Sequence, residues 1–226
     1  RNVWKKGPAV LELMERHVQP PRPLRQTRTL WTSSWGSPCG IAEYTTHLAE
    51  ALSNVHVTAQ PPDLRRVKLL HIQHEDSLFN DAELSRYVQQ ARASRVPVVI
   101  TEHGVGNHAR PWEREADVLV AMTQRGTDRL RARWPAKRVE HIPCGCPTWF
   151  PPRKAAPGRV IGAFGFLERH KGFWHLLDGL RELPGTELLV FSYAKSAEIE
   201  ARWTEATRGL PVRRIGQYLP LVEVAR

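Results

Sequence analysis

Residues 67–104 read VKLLHIQHEDSLFNDAELSRYVQQARASRVPVVITEHG, and this stretch decides the fold class. Val67-Lys68-Leu69-Leu70-His71-Ile72 has the apolar run of a buried strand, and Ala82 to Ala93 has the spacing of a helix of about three turns. Val96-Pro97-Val98-Val99-Ile100-Thr101 is a second strand, apolar throughout except for an edge-like proline. Strands that are apolar on both faces and joined by helices belong to a parallel sheet covered on both sides.

The same cycle extends outward. Upstream, Arg28–Thr32 is a short strand, Ser33 to Gly40 is rich in turn formers, and Ile41 to Leu52 places Ile41, Tyr44, Leu48 and Leu52 on one helical face. Downstream, Ala116–Ala121 is a strand, Gln124–Arg133 a helix and Val139–Ile142 another strand. A proline-rich passage then includes Pro147, Pro151, Pro152 and Pro157, the composition of an interdomain linker. After it the cycle restarts. Strand Arg159–Phe164, helix Phe173–Leu180, strand Glu187–Ser192, helix Ala197–Ala206 and strand Val212–Ile215 follow in turn. The expected organisation is an N-terminal helix and Pro-rich linker over 1–26 and a Rossmann-like domain over 27–150. A linker over 151–158 leads to a second Rossmann-like domain that begins at 159 and is incomplete at 226.

Hydrophobic residues make up 41% and charged residues 25%, enough apolar material for packed cores. No stretch approaches the ~20 apolar residues of a membrane span, and the first residues lack the apolar segment of a signal peptide. The simplest expectation is a soluble cytoplasmic protein. The net charge of +10, from 33 Lys and Arg against 23 Asp and Glu, favours anionic partners: sugar nucleotides, an acidic membrane surface or nucleic acid. Cys39, Cys144 and Cys146 are an odd set and do not suggest a disulfide framework. His141, Cys144 and Cys146 lack the paired C-x-x-C spacing and the four ligands of a structural zinc site, so no metal is expected.

In open parallel sheets ligands lie beyond the carboxyl ends of the strands, and three loops fall there. Trp35-Gly36-Ser37-Pro38-Cys39-Gly40-Ile41 enters the first long helix, with Gly40 at a helix start where backbone N–H groups attract anions. It is neither a G-x-G-x-x-G fingerprint nor a P-loop. Thr101-Glu102-His103-Gly104 closes a strand with a carboxylate and an imidazole. Gly165-Phe166-Leu167-Glu168-Arg169-His170-Lys171-Gly172 opens a helix with two cations, Arg169 and Lys171, suited to a diphosphate.

The order of these motifs resembles the retaining glycosyltransferases of family 4, which have the GT-B fold. Cys39-Gly40-Ile41-Ala42-Glu43-Tyr44-Thr45 looks like that family's first glycine loop and helix, and His71-Ile72-Gln73-His74-Glu75 resembles a strand end common in one subgroup. Val96 to His103 is similar to the strand whose closing histidine contacts the transferred sugar. Ala116–Arg133 resembles the next strand–helix unit, and Ile142-Pro143-Cys144-Gly145-Cys146 the exit from the first domain. Phe164-Gly165-Phe166 with Lys171-Gly172 resembles the loop that grips the donor diphosphate. The resemblance covers residues 28–226 and implies transfer of a sugar from a nucleotide-diphosphate donor to an acceptor with retention of configuration. It implies no cofactor and no metal, the nucleotide sugar being a substrate. His103 is then the catalytic-site residue. Arg169, Lys171, Gly165 and Gly40 serve the diphosphate, and Glu102 and His74 the acceptor or sugar side.

Departures from the pattern carry weight. Phe166 stands where most family members have a diphosphate arginine, so either Arg169 substitutes for it or the donor site is altered. Cys144 replaces an asparagine, and the short segment before His71 implies a reduced strand–helix unit. The family's E-x7-E carboxylates have no counterpart before Arg226. Two alternatives follow from these features: a non-catalytic GT-B-like binding module, and a basic nucleic-acid-binding protein. The acceptor expected for a transferase is open among small molecules, glycans, an acidic lipid surface and nucleic acid, and the oligomeric state is open too.

Overall fold

A computed structural model describes residues 27–145, 159–168 and 171–217. The helix expected over residues 7–18 and the linkers expected at Pro20–Pro23 and 151–158 lie outside them. The chain divides into two compact units, Arg1–Gly145 and Cys146–Arg226.

In the first unit the described elements run β1 (Thr27–Trp31), α1 (Gly40–Ala51), β2 (Val55–Thr58), β3 (Val67–His74) and α2 (Asp81–Ala93). They continue with β4 (Val98–Glu102), α3 (Pro111–Glu115), β5 (Val118–Ala121), α4 (Gln124–Arg133) and β6 (Arg138–His141). The six strands pair in parallel in the order β2-β1-β3-β4-β5-β6. Chain direction across the sheet therefore reverses between β1 and β3, the kind of switch point where the loops leaving two adjacent strands part and open a crevice.

Local chemistry accounts for where the elements begin. Pro97 lies just before β4, where its carbonyl accepts from Leu70 N–H at 2.9 Å and its missing N–H interrupts no ladder. Asp117 delays β5 by two residues: its carboxylate accepts from Val98 N–H at 2.7 Å, tying the start of β4 to the entry of β5. The helix starts differ in an informative way. Asn80 caps α2 and Thr123 caps α4, each with a side-chain oxygen on first-turn N–H groups, whereas Cys39 gives α1 no side-chain cap.

The sequence pattern does not anticipate two of these elements. β2 is only four residues long and follows α1 so closely that it reads as the tail of the helix. The reduced unit before His71 therefore keeps its strand and loses its helix, since a 3-10 turn at Leu64–Arg66 is all that joins β2 to β3. The five-residue α3 starts on Pro111 and is likewise too short for a periodic signal.

The core of this unit gathers Leu70, Ile72, Val88, Ile100, Trp112 and Leu119, all fully or almost fully buried. Beside it lies a buried polar cluster. Glu113 has 0% exposure; its two oxygens accept from Arg133 Nη1 at 2.6 and 2.8 Å, and one also accepts from Trp134 Nε1–H at 2.6 Å. Arg133 also donates to Gly106 O at 2.8 Å, and Arg129 donates to Val105 O at 2.7 Å. Gly126, in the first turn of α4, lies so close to this loop that a Cβ would fall 3.0 Å from a Val105 methyl. These contacts fasten the loop that leaves β4.

In the second unit β7 (Val160–Phe166), β8 (Glu187–Tyr193) and β9 (Val212–Ile215) form a parallel sheet in that order, with α5 (Phe173–Arg181) and α6 (Ala197–Ala206) as crossovers. Phe173, Leu177, Leu188, Val190 and Trp203 make its core. Among the described residues no helix is long and apolar enough to cross a membrane.

Replacing Glu113 by alanine strands the Arg133 guanidinium without its buried partner, a change that costs about 3–5 kcal/mol. Urea unfolding followed by circular dichroism should show that loss, and a change below about 1 kcal/mol would mean that the pair behaves as a solvated one.

Candidate functional site

β3 and β4 pair in register, with His71 opposite Val99, Gln73 opposite Thr101 and His74 opposite Glu102. Strand side chains alternate between faces, so this register divides the polar residues at the strand ends into two groups. His71, Gln73, Thr101 and His103 belong to the face that meets α1. His74 and Glu102 belong to the face that meets α2.

On the α1 face four side chains form one polar chain. Thr101 Oγ1 lies 2.8 Å from His71 Nε2, Gln73 Nε2 lies 3.2 Å from the same nitrogen, and Gln73 Oε1 lies 3.0 Å from His103 Nε2. The backbone of His103 is held as well, its N–H donating to His74 O at 3.0 Å. Burial, helped by the neighbouring His103, depresses His71 from 6.5 to about 4, and burial also depresses His103 to about 4 against the opposing pull of Glu75. Both imidazoles are neutral at neutral pH. The Tyr44 ring of α1 meets His103 edge-on at 5.1 Å. Burial first, and then Cys144, raise the Tyr44 phenol above its ordinary 10.0. Tyr44, His103 and Cys144, three residues from motifs far apart in sequence, thus share one neighbourhood. Gly40 opens α1 at an exposed position, and a side chain added there meets no atom within 4 Å.

On the α2 face His74 is 1% exposed and Glu102 3% exposed. His74 packs against Trp112 at 4.2 Å and Phe79 at 5.7 Å, and neither of its ring nitrogens has a hydrogen-bond partner. Burial lowers His74 to about 4, and burial followed by the charge of Glu113 raises Glu102 from 4.5 to about 8. The sequence reading places both on the acceptor or sugar side with His103; the structure puts them on the opposite face, in the core. What the sequence reading does not find is the clamp beyond them. Arg110 pairs with Asp76 at 2.9 Å and also with Asp81, while Trp112 Nε1–H donates to Asp81 at 2.9 Å. Because Asp76 follows β3 and Arg110 follows β4, the clamp ties the two loops together. Its only sequence signal is opposite charge at a wide separation along the chain, which has no period to detect.

A cavity of about 510 Å³ also opens on the α2 side of β1, lined by Trp31, Phe79, Tyr87, Gln60, Asn80 and Gln90 among others. It lies beside the connection that has a 3-10 turn in place of a helix.

In the second unit the loop after β7 folds back on itself. Glu168 N–H donates to Phe166 O at 2.7 Å, and Lys171 N–H donates to Glu168 O at 3.0 Å. Gly165 has φ +131° and Gly172 φ +74°, and Gly172 starts α5 in a left-handed conformation that suits glycine, with no side-chain cap. By contrast Ser196 caps α6. Lys171 is exposed at the start of α5. Arg169 lies outside the described residues. Lys195, unremarked in the sequence, comes from the end of β8 to sit 4.6 Å above the Phe166 ring and 3.6 Å from Glu168 Oε1. Among the described residues no group of three or more His, Cys, Asp or Glu is placed to hold a metal ion; Cys146 lies outside them.

No family profile matches the chain, and no curated protein matches it in sequence. Solved structures do match. A sucrose-phosphate synthase from Thermosynechococcus elongatus superposes with a TM-score of 0.63 at 17% identity, over 89% of this chain and 74% of that one. The S. aureus MnaA–UDP co-structure gives 0.56 at 12% identity, over 88% and 70%. A mutant of S. aureus TarM in complex with fondaparinux, α-GlcNAc-glycerol and UDP gives 0.51 at 7% identity, over 80% and 37%. At these identities the likeness establishes the fold. The chain is an α/β protein of the GT-B type, with one six-stranded and one three-stranded parallel sheet among the described residues.

The buried carboxyl of Glu102 predicts an alkaline loss of stability. The unfolded chain releases that proton near 4.5, and the folded protein keeps it to about 8. Stability therefore falls as pH rises between these values. At about pH 7 the unfolded imidazoles still hold part of a proton and oppose this trend, whereas near pH 8 they are neutral in both states, so Glu102 dominates only as pH approaches about 8. There Glu102 contributes a slope of roughly 1 kcal/mol or less lost per pH unit. Glu102→Gln should flatten it in urea titrations, and an unchanged slope would show that Glu102 ionises in the folded protein as it does in water.

Proposed function

We propose that this chain takes part in transferring a sugar from a nucleoside-diphosphate donor to an acceptor hydroxyl, with retention of configuration. One observation carries the reading. The two helices that open on the glycine loops, α1 and α5, start without a side-chain cap, whereas the other helices of two turns or more, α2, α4 and α6, are capped by Asn80, Thr123 and Ser196. The five-residue α3, which starts on Pro111, has no such cap either. Uncapped first-turn N–H groups at the carboxyl edge of a parallel sheet are donors available to an anion. At α5 they are accompanied by Lys171 and by Lys195.

The reaction has simple requirements. The bond between the anomeric carbon and the diphosphate oxygen breaks, and its electron pair leaves with the diphosphate. The acceptor oxygen bonds to that carbon on the same face, and its proton passes to the departing phosphate oxygen. The protein's part is to stabilise the negative charge that builds on the diphosphate, which preorganised cations and backbone N–H groups do. Lys171 and the N–H groups of α5 serve the phosphates in this scheme, with Gly40 leaving the start of α1 open. Gly165 and Gly172 hold the turn that presents them. Arg169 is proposed for the same role. Lys195 adds the cation that Phe166 does not supply, the ammonium standing over the phenylalanine ring from the neighbouring strand. Neutral His103 is suited to hydrogen-bond a sugar hydroxyl. Glu102 and His74 act from beneath, by packing and by keeping charge away from the strand ends. The nucleotide sugar is a substrate, and the scheme calls on no cofactor or metal.

The reading of the chain as a binding module shares this donor site and differs only in turnover. Calorimetric titration with UDP and with GDP tests the site itself. Saturable binding of one nucleotide is expected, weakened about tenfold or more by Lys171→Ala or Lys195→Ala, since a hydrogen bond to a charged group contributes roughly 1.5–3 kcal/mol. Absence of binding by both nucleotides would overturn the reading. Binding without sugar release from any of a panel of nucleotide sugars would favour the binding module.

A further inference from the structure

The polar chain at the ends of β3 and β4 has a direction, and the side chain at its centre sets it. Gln73 is 0% exposed, so both ends of its amide must find partners inside the protein. One end faces His71 Nε2 at 3.2 Å and the other faces His103 Nε2 at 3.0 Å. An amide NH2 only donates and an amide oxygen only accepts. His71 Nε2 must then present a lone pair, which puts the His71 proton on Nδ1; the Thr101 hydroxyl, 2.8 Å away, donates to the same nitrogen. His103 Nε2 must carry its proton, and a neutral imidazole with Nε2–H has a lone pair on Nδ1.

We propose that Gln73 is a positioning residue that fixes His103 as the Nε2–H tautomer, so that His103 Nδ1 acts as a hydrogen-bond acceptor for a neutral, hydroxyl-bearing sugar and disfavours an anionic group there. The tautomers rest on the orientation of the Gln73 amide, and the ligand rests on the glycosyl-transfer reading. Burial supports the same state, because both imidazoles are depressed to about 4 and stay uncharged at neutral pH. No group among the described residues donates to His103 Nδ1, whose ring is otherwise flanked by the edge contact with Tyr44. A hydroxyl can donate to that nitrogen. A carboxylate or phosphate oxygen cannot, and meets lone-pair repulsion there. His71 gives the arrangement a signature, because Nδ1–H is the less favoured tautomer of a free histidine and needs the donors of Gln73 and Thr101 to hold it.

Long-range proton–nitrogen NMR on the full chain at about pH 7 reads both rings directly. The expected spectra show His103 as Nε2–H and His71 as Nδ1–H. His71 as Nε2–H with His103 as Nδ1–H would mean that the amide faces the other way, and would overturn the proposal. In Gln73→Glu the carboxylate accepts at both ends, so His71 should move its proton to Nε2 or become charged while His103 keeps Nε2–H. A His71 unchanged in that variant would equally overturn it, because a residue with a merely structural role would leave the tautomer alone. Calorimetric titration with UDP-glucose and UDP-glucuronate tests the ligand: the neutral sugar should bind at least about tenfold more tightly, and equal affinity would sink the acceptor role. Failure of both to bind would remove the glycosyl-transfer reading and the ligand with it, while the tautomers stand or fall on the spectra.

Discussion

The arrangement of this protein's polar residues depends on one geometric constraint, the two-residue alternation of β3 against β4. Parallel register puts Gln73 beside Thr101 and His74 beside Glu102. A slip of one residue would send each to the other side of the sheet. That register is secured by apolar contacts on the α2 face, where Leu70, Ile72 and Ile100 are completely buried. The buried hydrophobic pattern therefore does more than stabilise the unit. It selects which imidazoles face α1 and which lie in the core.

The two faces then solve the problem of buried polarity differently. On the α1 face hydrogen bonds join Thr101, His71, Gln73 and His103 into one chain, and no charge is needed. On the α2 face two carboxyl groups lie close enough to influence each other, and their surroundings diverge. Glu113 has Arg133 and Trp134 as partners, whereas Glu102 has one oxygen without a partner and holds its proton to about 8. An unpaired second charge would be costly in such surroundings. The result is a layer beneath the loop that carries His103 in which the buried charge of Glu113 is matched by Arg133 and Glu102 keeps its proton to about 8.

Much of this was legible in the sequence, and the limits have physical causes. The largely apolar runs at 67–72 and 96–101 identify parallel strands because such runs suit a sheet covered on both faces. The sequence also marks Gly40 at a helix start, His103 just past a strand end, and Gly165 and Lys171 in the passage from strand to helix, where the structure places them. It does not reveal β2 or α3, since four or five residues are too few for a period to appear. It groups His74 and Glu102 with His103 because proximity along the chain says nothing of strand face. Lys195 passes unnoticed, and Gln73 is read only as part of a motif, for a different reason: each matters through a partner beyond its own strand, and that adjacency exists only once the sheet has formed.

The turn at Leu64–Arg66 has a consequence of its own. A helix in that connection would cover the sheet beside β1, and its place is taken by a three-residue turn next to an open cavity walled by Trp31 and Tyr87. The ends of this connection are already anchored, with Trp31 Nε1–H donating to Ala59 O at 3.3 Å and the Tyr87 hydroxyl donating to Pro62 O. Surface connections with fixed ends tolerate added length at small entropic cost. Evolution, or an engineer, can therefore insert a new element between Ala59 and Arg66 and reshape the wall of that cavity without disturbing the strands that carry His71 and His103.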